Sequence, residues 1–371
     1  MRSVDGHIGD VRSIAVVGPD ALGDTMMTLP ALRALRVAYR DACIVYVGLD
    51  WHASFFRDRP GPIDVVRVRP AVVDPGRPLP PDAPPIDRMF RVRADDPPFD
   101  VAVQLYGGGA QANPFTRALG ARIAVGACAP GAPPLDRWTP YGRWQNRRLL
   151  ALEIVSLAGA TLWPAGPDLA VIERDRHAMR AALPPDIAEH LHELVVVQPS
   201  ARDPRRRWSP RHFAAVADRL AARGLRIAVV GTAQERPLVR AVLDAMHAPA
   251  LDLAGALDIG GLAALLEHAA LMLSNDTGPL HLAAALGTPC VGIFWFTNAL
   301  QALPLAQGRC RAAVSARIVC PVCGEPNLTS RCAHDDSFVD DVTVDEVATL
   351  ADEVLAERTW PRRVPSRFPA T

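Results

Sequence analysis

One rhythm, which occurs twice along this chain, constrains its fold more than any other feature: a short apolar run, then a longer amphipathic stretch, then another apolar run. In the first half the apolar runs are Ser13 to Gly18, Cys43 to Gly48, Ile63 to Val68 and Asp100 to Leu105. In the second they are Leu194 to Pro199, Leu225 to Gly231, Ala270 to Asn275 and Cys290 to Trp295. Runs this short and this apolar read as strands buried on both faces. Strands of that kind, joined by helical crossovers, make parallel sheets. The expectation is an α/β protein of two Rossmann-like domains, 1–165 and 166–371, with the crossing in the Gly- and Pro-bearing segment Ala158 to Val171. Open parallel sheets bind ligands at the carboxyl ends of their strands, so the loops after Val17, Val197 and Leu273 are where chemistry belongs, beside a cleft between the domains. The Pro-dense stretch Pro60 to Pro98 is too long for an ordinary connection and reads as a surface excursion near that cleft, either a binding loop or a tolerated insertion.

Composition excludes several classes. A net charge of +0 gives nucleic acid no electrostatic purchase. Every basic residue is Arg, which rules out Schiff-base chemistry and the lysine of a P-loop. The first thirteen residues lack an apolar segment of signal-peptide length, and no run reaches the ~18 apolar residues of a membrane span. A cytoplasmic protein is expected, with its 7 Cys mostly free thiols and the strand-borne Cys43 and Cys290 acting as small core residues.

Three stretches carry chemistry. Around Leu271 to Phe294 a strand ends in Ser274, a polar turn supplies Asn275, Asp276, Thr277 and Gly278, and Pro279 suits the first position of a helix that stops at Gly287. The amides of that helix start, from Leu280 and His281 onward, would make an anion site of the kind a diphosphate occupies, with the Thr277 hydroxyl and the His281 ring beside it. Asp276 cannot hold phosphate itself and suits a turn-orienting or sugar-binding role. After the strand at Val195, the chain offers Ser200 and the triplet Arg205, Arg206 and Arg207, then Ser209 and Pro210 as cap and first residue of a helix. Guanidinium groups there suit a diphosphate. Glu235, at the next strand-to-helix turn, fits either a ribose contact or a helix-dipole partner. The third stretch, Val16 to Leu35, begins with the spacing of a P-loop but carries Asp24 where that loop has its cation.

Taken in order, these residues resemble glycosyltransferase family 9, the heptosyltransferases of lipopolysaccharide assembly. The resemblance rests on Leu22, Gly23, Asp24 and the following Leu29 and Pro30; on Arg206 two places before Trp208, where the family often has Lys; and on Asp276, Thr277, Gly278, His281, Ala283 and Ala284. It implies the GT-B fold, two facing Rossmann-like domains, with acceptor contacts in the first and a nucleotide-sugar, ADP-heptose or a similar donor, in the second. It implies inverting transfer to a hydroxyl of a glycan or glycolipid such as lipopolysaccharide core, with no cofactor or metal ion. It makes Asp24 the catalytic base, and it makes Ser200, Arg206, Glu235, Asp276, Thr277, Gly278 and His281 the donor site. A glycolipid acceptor would bring the protein to the inner membrane face. The sugar and acceptor are family defaults, since the Gly-rich stretch Val103 to Arg122 matches no particular lipid core.

Two readings compete with parts of this picture. A non-catalytic nucleotide or sugar sensor of the same fold would explain the anion site but not Asp24, because binding a diphosphate gains nothing from a nearby carboxylate. A dehydrogenase lacks its G-x-G-x-x-G. Near the end of the chain Cys320, Cys323, Cys332 and His334 have the residue types of a tetrahedral zinc site, yet the tight spacing to His334 favours a cluster of packed thiols.

Overall fold

The computed structural model describes residues 6–357 apart from 71–72, 79–85, 92, 94–95, 143, 162–167, 306–308 and 329. The chain forms two compact units that divide between Ala170 and Val171. Six residues of the expected crossing segment, 162–167, lie outside the described part.

The first unit holds β1 (Ser13–Val17), β2 (Cys43–Gly48), β3 (Val65–Val68), β4 (Val101–Gln104), β5 (Ile123–Cys128) and β6 (Arg137–Pro140). The second holds β7 (Leu194–Gln198), β8 (Arg226–Gly231), β9 (Ala250–Ala254), β10 (Leu271–Asn275), β11 (Cys290–Trp295) and β12 (Cys310–Ser315). All pairings within both sheets are parallel, in the orders β3-β2-β1-β4-β5-β6 and β12-β11-β10-β7-β8-β9. Numbered within its own unit, each sheet therefore has the doubly wound order 3-2-1-4-5-6. Strand order reverses between β1 and β4 in one sheet and between β7 and β10 in the other, and beyond the carboxyl ends of those strands lies the ligand crevice of such folds. The central strands β4, β7 and β10 are buried along their whole length, as their continuous apolar sequences require.

Four strands went unread in the sequence, namely β5, β6, β9 and β12. They lie on the β4 flank of β1, at the far edge beyond β8, and at the edge beside β11. Their sequences, IAVGAC, RWTP, ALDLA and CRAAVS, are short of bulky β-branched residues and hold Gly, Ala or charge. Beyond the strand expected at Ile63 to Val68, the Pro-dense stretch differs from expectation, because it contains a short helix Ile86–Met89 and the side chains of Val73, Ile86 and Phe90, which are buried in the first unit's core. The described part of it is built into the domain rather than laid over the surface.

Cys290 is not a free core thiol. It starts β11 in direct register with Cys310, which starts β12, and the two form a disulfide across Cα atoms 4.7 Å apart. Parallel in-register pairing brought the two sulfurs together, which spacing along the sequence does not reveal. Cys43, Cys128, Cys320, Cys323 and Cys332 are free.

Candidate functional site

In the second unit the loops after β7 and β10 are stitched together before any ligand is considered. Asn275, the last residue of β10, donates from Nδ2 to the Pro199 carbonyl at 2.7 Å and accepts the Trp208 amide at 3.0 Å. Trp208 is itself core: it is 1% exposed, it lies edge-on to Phe213, and its Nε1 donates to the Val342 carbonyl at 2.9 Å. These anchors fix the 3-10 turn Pro204–Arg206, and with it the arginine triplet.

The three arginines have separate fates. Arg205 is 8% exposed and occupied by Asp203 and by Asn327 Oδ1 at 3.1 Å, over the rings of Trp295 and Phe338. Arg207 spends its Nε on the Ala201 carbonyl. Arg206 reaches across to β10, where its Nη1 donates to Asp276 Oδ2 at 3.0 Å. Asp276 is the one side-chain partner of Arg206 among the described residues, so further donors of the guanidinium fork remain for an anion.

Asp276 is 4% exposed, and its other oxygen lies 3.1 Å from His281 Nε2. Burial alone would raise its pKa. The His281 hydrogen bond and the Arg206 guanidinium outweigh that cost and hold the carboxyl below the ordinary range, so it is ionised at neutral pH. The buried carboxylate thus aims both a guanidinium and an imidazole, a positioning role that agrees with its inability to hold phosphate. Thr277 precedes the helix Gly278–Leu286, which has Pro279 in its first turn and ends on Gly287 in the left-handed conformation at φ 74°. One expectation fails here: the Leu280 amide is not left for an anion, since it donates to the Thr277 carbonyl at 3.1 Å.

Ser200 and Glu235 form a second group, at the ends of β7 and β8. The Ser200 hydroxyl donates to Glu235 Oε1, and Glu235 Oε2 accepts the Thr232 amide at 2.7 Å, closing a capping box. Burial raises the Glu235 pKa, but these bonds outweigh it and hold the carboxyl below its usual value. Of the two roles read from sequence, helix-start partner is the one the geometry displays. Ser209 takes the cap position before Pro210, although its hydroxyl makes no capping bond.

In the first unit the helix Leu22–Ala38 begins at the carboxyl end of β1, with Ala21 as its N-cap. Asp24 lies in the first turn of this helix and is exposed, while Gly23 and Thr25 on either side are buried. The preceding loop is held by residues that sequence reasoning missed. The Pro19 carbonyl accepts from Tyr46 Oη at 3.1 Å and Thr25 Oγ1 at 3.0 Å. His52 Nδ1 accepts the Leu49 amide at 2.9 Å, so its proton sits on Nε2 and is donated to Thr25 Oγ1 at 3.1 Å. Burial drives the His52 pKa down to about 4 and keeps the ring neutral. Gly18 is required, because a Cβ there would overlap the buried Tyr46 ring.

Asp20, in the same loop, pairs with Arg69 and accepts from Tyr106 Oη at 3.2 Å. Burial, reinforced by Asp20, pushes the Tyr106 phenol up to about 12. Arg69 follows β3 and Tyr106 follows β4, so the strand-end rule was the available signal for both.

Two parallel sheets of one strand order, with a carboxylate-bearing loop after β1 and an arginine and helix start after β7 and β10, define an α/β protein of the GT-B class. Residues 144–317 match the family model for glycosyltransferase family 9 (heptosyltransferase), and part of that stretch is similar to lipopolysaccharide heptosyltransferases. It is 35% identical over 107 residues to lipopolysaccharide heptosyltransferase 3 of Escherichia coli, a stretch that takes in 28% of this chain and 32% of that relative. The curated relatives are thus matched over about a third of their length. Among solved structures it is similar to a glycosyl transferase family 9 protein from Veillonella parvula DSM 2008, with TM-score 0.75 and 18% identity over 95% of this chain and 100% of that one. It is also similar to the ADP-heptose lps heptosyltransferase II of E. coli, with TM-score 0.66 and 18% identity over 93% and 99% of the two chains. The family match contains Ser200, Arg206, Glu235 and Asp276 to His281 but neither Asp24 nor the Cys320 group. Among the described residues no helix is long and apolar enough to cross a membrane.

Proposed function

We propose that the protein is an inverting glycosyltransferase that moves a sugar from a nucleoside diphosphate, ADP-heptose in the first instance, to a hydroxyl of a glycan or glycolipid such as lipopolysaccharide core. The observation that carries this reading is the Arg206–Asp276–His281 arrangement at the strand-order reversal of the second sheet, where a buried carboxylate aims a guanidinium that keeps donors in reserve.

In this reading the acceptor oxygen attacks the anomeric carbon and the bond from that carbon to the diphosphate oxygen breaks. Asp24 takes the acceptor proton, and the leaving diphosphate gathers negative charge. Arg206, the Thr277 hydroxyl and the start of the helix Gly278–Leu286 stabilise that charge, so no metal ion is needed at the diphosphate. His281, held by Asp276, supports the same anion or its sugar. Ser200 and Glu235 form the nucleoside end of the site. The exposed first-turn position of Asp24 supports its assignment as base. With a glycolipid acceptor, the protein works in the cytoplasm against the inner membrane face.

The test is to incubate the purified full chain with ADP-heptose and a heptose-deficient lipopolysaccharide core, following ADP release and acceptor mass together. ADP release matched by a mass gain of one heptose supports the proposal. Tight nucleotide binding without turnover on any offered acceptor would favour a sensor instead.

A further inference from the structure

The segment that follows β12 carries chemistry that sugar transfer does not use. Cys320, Cys323, Cys332 and His334 each bring one ligand atom into a group whose members all lie within 4.8 Å of one another. A tetrahedral ion with sulfur ligands at ~2.3 Å needs sulfurs separated by about 3.8 Å, so the group is already gathered to nearly that size.

Local structure gathers it in three ways. The Cys320 amide donates to the Glu325 carbonyl at 2.9 Å and the Gly324 amide to the Cys320 carbonyl at 3.0 Å, folding Cys320 and Cys323 into one tight turn. Gly324 closes that turn in the left-handed region at φ 74°. Amide hydrogens already point at sulfur: Val322 N–H donates to Cys320 Sγ at 3.4 Å and Asn327 Nδ2 to Cys332 Sγ at 3.4 Å. Such donors offset the charge of a metal-bound thiolate.

A second, independent observation comes from the imidazole. His334 Nδ1 is buried and has no hydrogen-bond partner, a cost that a buried nitrogen ordinarily avoids. The three sulfurs are free thiols, although two other cysteines of the same unit are joined in a disulfide. An ion accepting the imidazole lone pair and three thiolates would satisfy all four groups at once.

We infer that Cys320, Cys323, Cys332 and His334 bind one four-coordinate divalent transition-metal ion, of the zinc or ferrous class. Binding releases the three thiol protons to solvent and forms three metal–sulfur bonds and one metal–nitrogen bond, with no change of oxidation state. With all four positions filled by protein, the site is structural.

Its position gives that structure a purpose. Asn327 Oδ1 accepts from Arg205 Nη1 and from the Cys332 amide, Phe338 N–H donates to the Arg205 carbonyl, and Ser337 Oγ to the Arg207 carbonyl. The metal-bound segment thereby grips both neighbours of Arg206. This inference stands apart from the proposed transfer reaction and is tested without it.

The untagged full chain, made in medium supplemented with zinc and iron and purified under reducing conditions without chelator, is analysed for metals. The expected content is about one equivalent per chain, and the element found separates zinc from iron. Cys323→Ser, at an exposed position, and Cys332→Ser should each lower the content at least about tenfold while circular dichroism stays unchanged. Cobalt(II) added to the demetallated wild-type chain should give thiolate-to-cobalt charge transfer and the strong visible bands of a tetrahedral site. Metal below about a tenth of an equivalent together with no tetrahedral cobalt spectrum would overturn the inference. So would a metal content that the Cys323→Ser/Cys332→Ser double variant leaves unchanged.

Discussion

Mild acid should loosen the loop that leads into Asp24, and a single buried ring is the cause. His52 has no exposed surface, and burial drives its pKa from the ordinary 6.5 down to about 4. Between those values the unfolded chain takes up a proton that the folded chain refuses. The stability contributed by the neutral ring is therefore complete above about pH 6.5 and is lost as pH falls toward 4. A displacement of this size is worth about 3 kcal/mol in full, of which roughly 2.5 kcal/mol is gone by pH 4.5. Other groups also titrate in this range, so the informative quantity is a difference between proteins. His52→Gln removes the titration and keeps an amide donor for Thr25. Hydrogen exchange of peptides from β2, corrected for intrinsic rates, reads the first unit alone within the full chain. Between pH 7 and 4.5, wild-type protection there should fall roughly fiftyfold further than that of His52→Gln. Equal losses within about twofold would refute the reasoning and place the proton acceptor elsewhere.

Three further outcomes follow from the geometry. Gly18→Ala should destabilise the first unit by at least ~1–3 kcal/mol in thermal or urea unfolding, since Tyr46 is fully buried and cannot yield; an unchanged midpoint would mean that the ring moves aside. Arg206→Ala should weaken ADP binding roughly ten- to a hundredfold in calorimetry while Arg207→Ala changes it little, because Arg207 spends its Nε on the Ala201 carbonyl; equal losses would remove Arg206 from its special place. Transfer should proceed in EDTA, and added magnesium should change the rate by less than about twofold, whereas a strict magnesium requirement would contradict charge stabilisation by Arg206 and the helix start.

Some of this molecule could be read before folding and some could not, and the reasons are physical. The apolar runs that became β1, β2, β4, β7, β8, β10 and β11 announce themselves because both faces of each strand are buried. RWTP and ALDLA do not, since edge strands are held by a neighbour rather than by their own composition. The helix Gly278–Leu286 was legible to within one residue at its start, where Pro279 is the second residue rather than the first, and to the residue at its left-handed glycine end. The partners of Arg206 were not, because a contact spanning 70 residues is decided by the order of strands in the sheet. For the same reason Arg205 and Arg206 look equivalent in sequence, yet one is locked to Asp203 and Asn327 while the other keeps donors in reserve. Nor could sequence show that Asn275 and Trp208 brace the loops after β7 and β10, or that His52 and Tyr46 brace the loop before Asp24.

The central claim is that Asp24 removes the acceptor proton, and one substitution separates this from a purely structural role. Ala21 occupies the cap position, so Asp24 is not the cap, and as a first-turn carboxylate it favours the helix by about 0.3–1 kcal/mol. Asp24→Asn keeps the shape and loses the base. Its single-turnover rate of sugar transfer from saturating ADP-heptose should be ~10²–10⁴ lower than wild type, with ADP affinity and melting temperature close to wild type. Transfer within about threefold of wild type by the folded, ADP-binding variant would contradict the account, because a missing general base costs at least about a hundredfold.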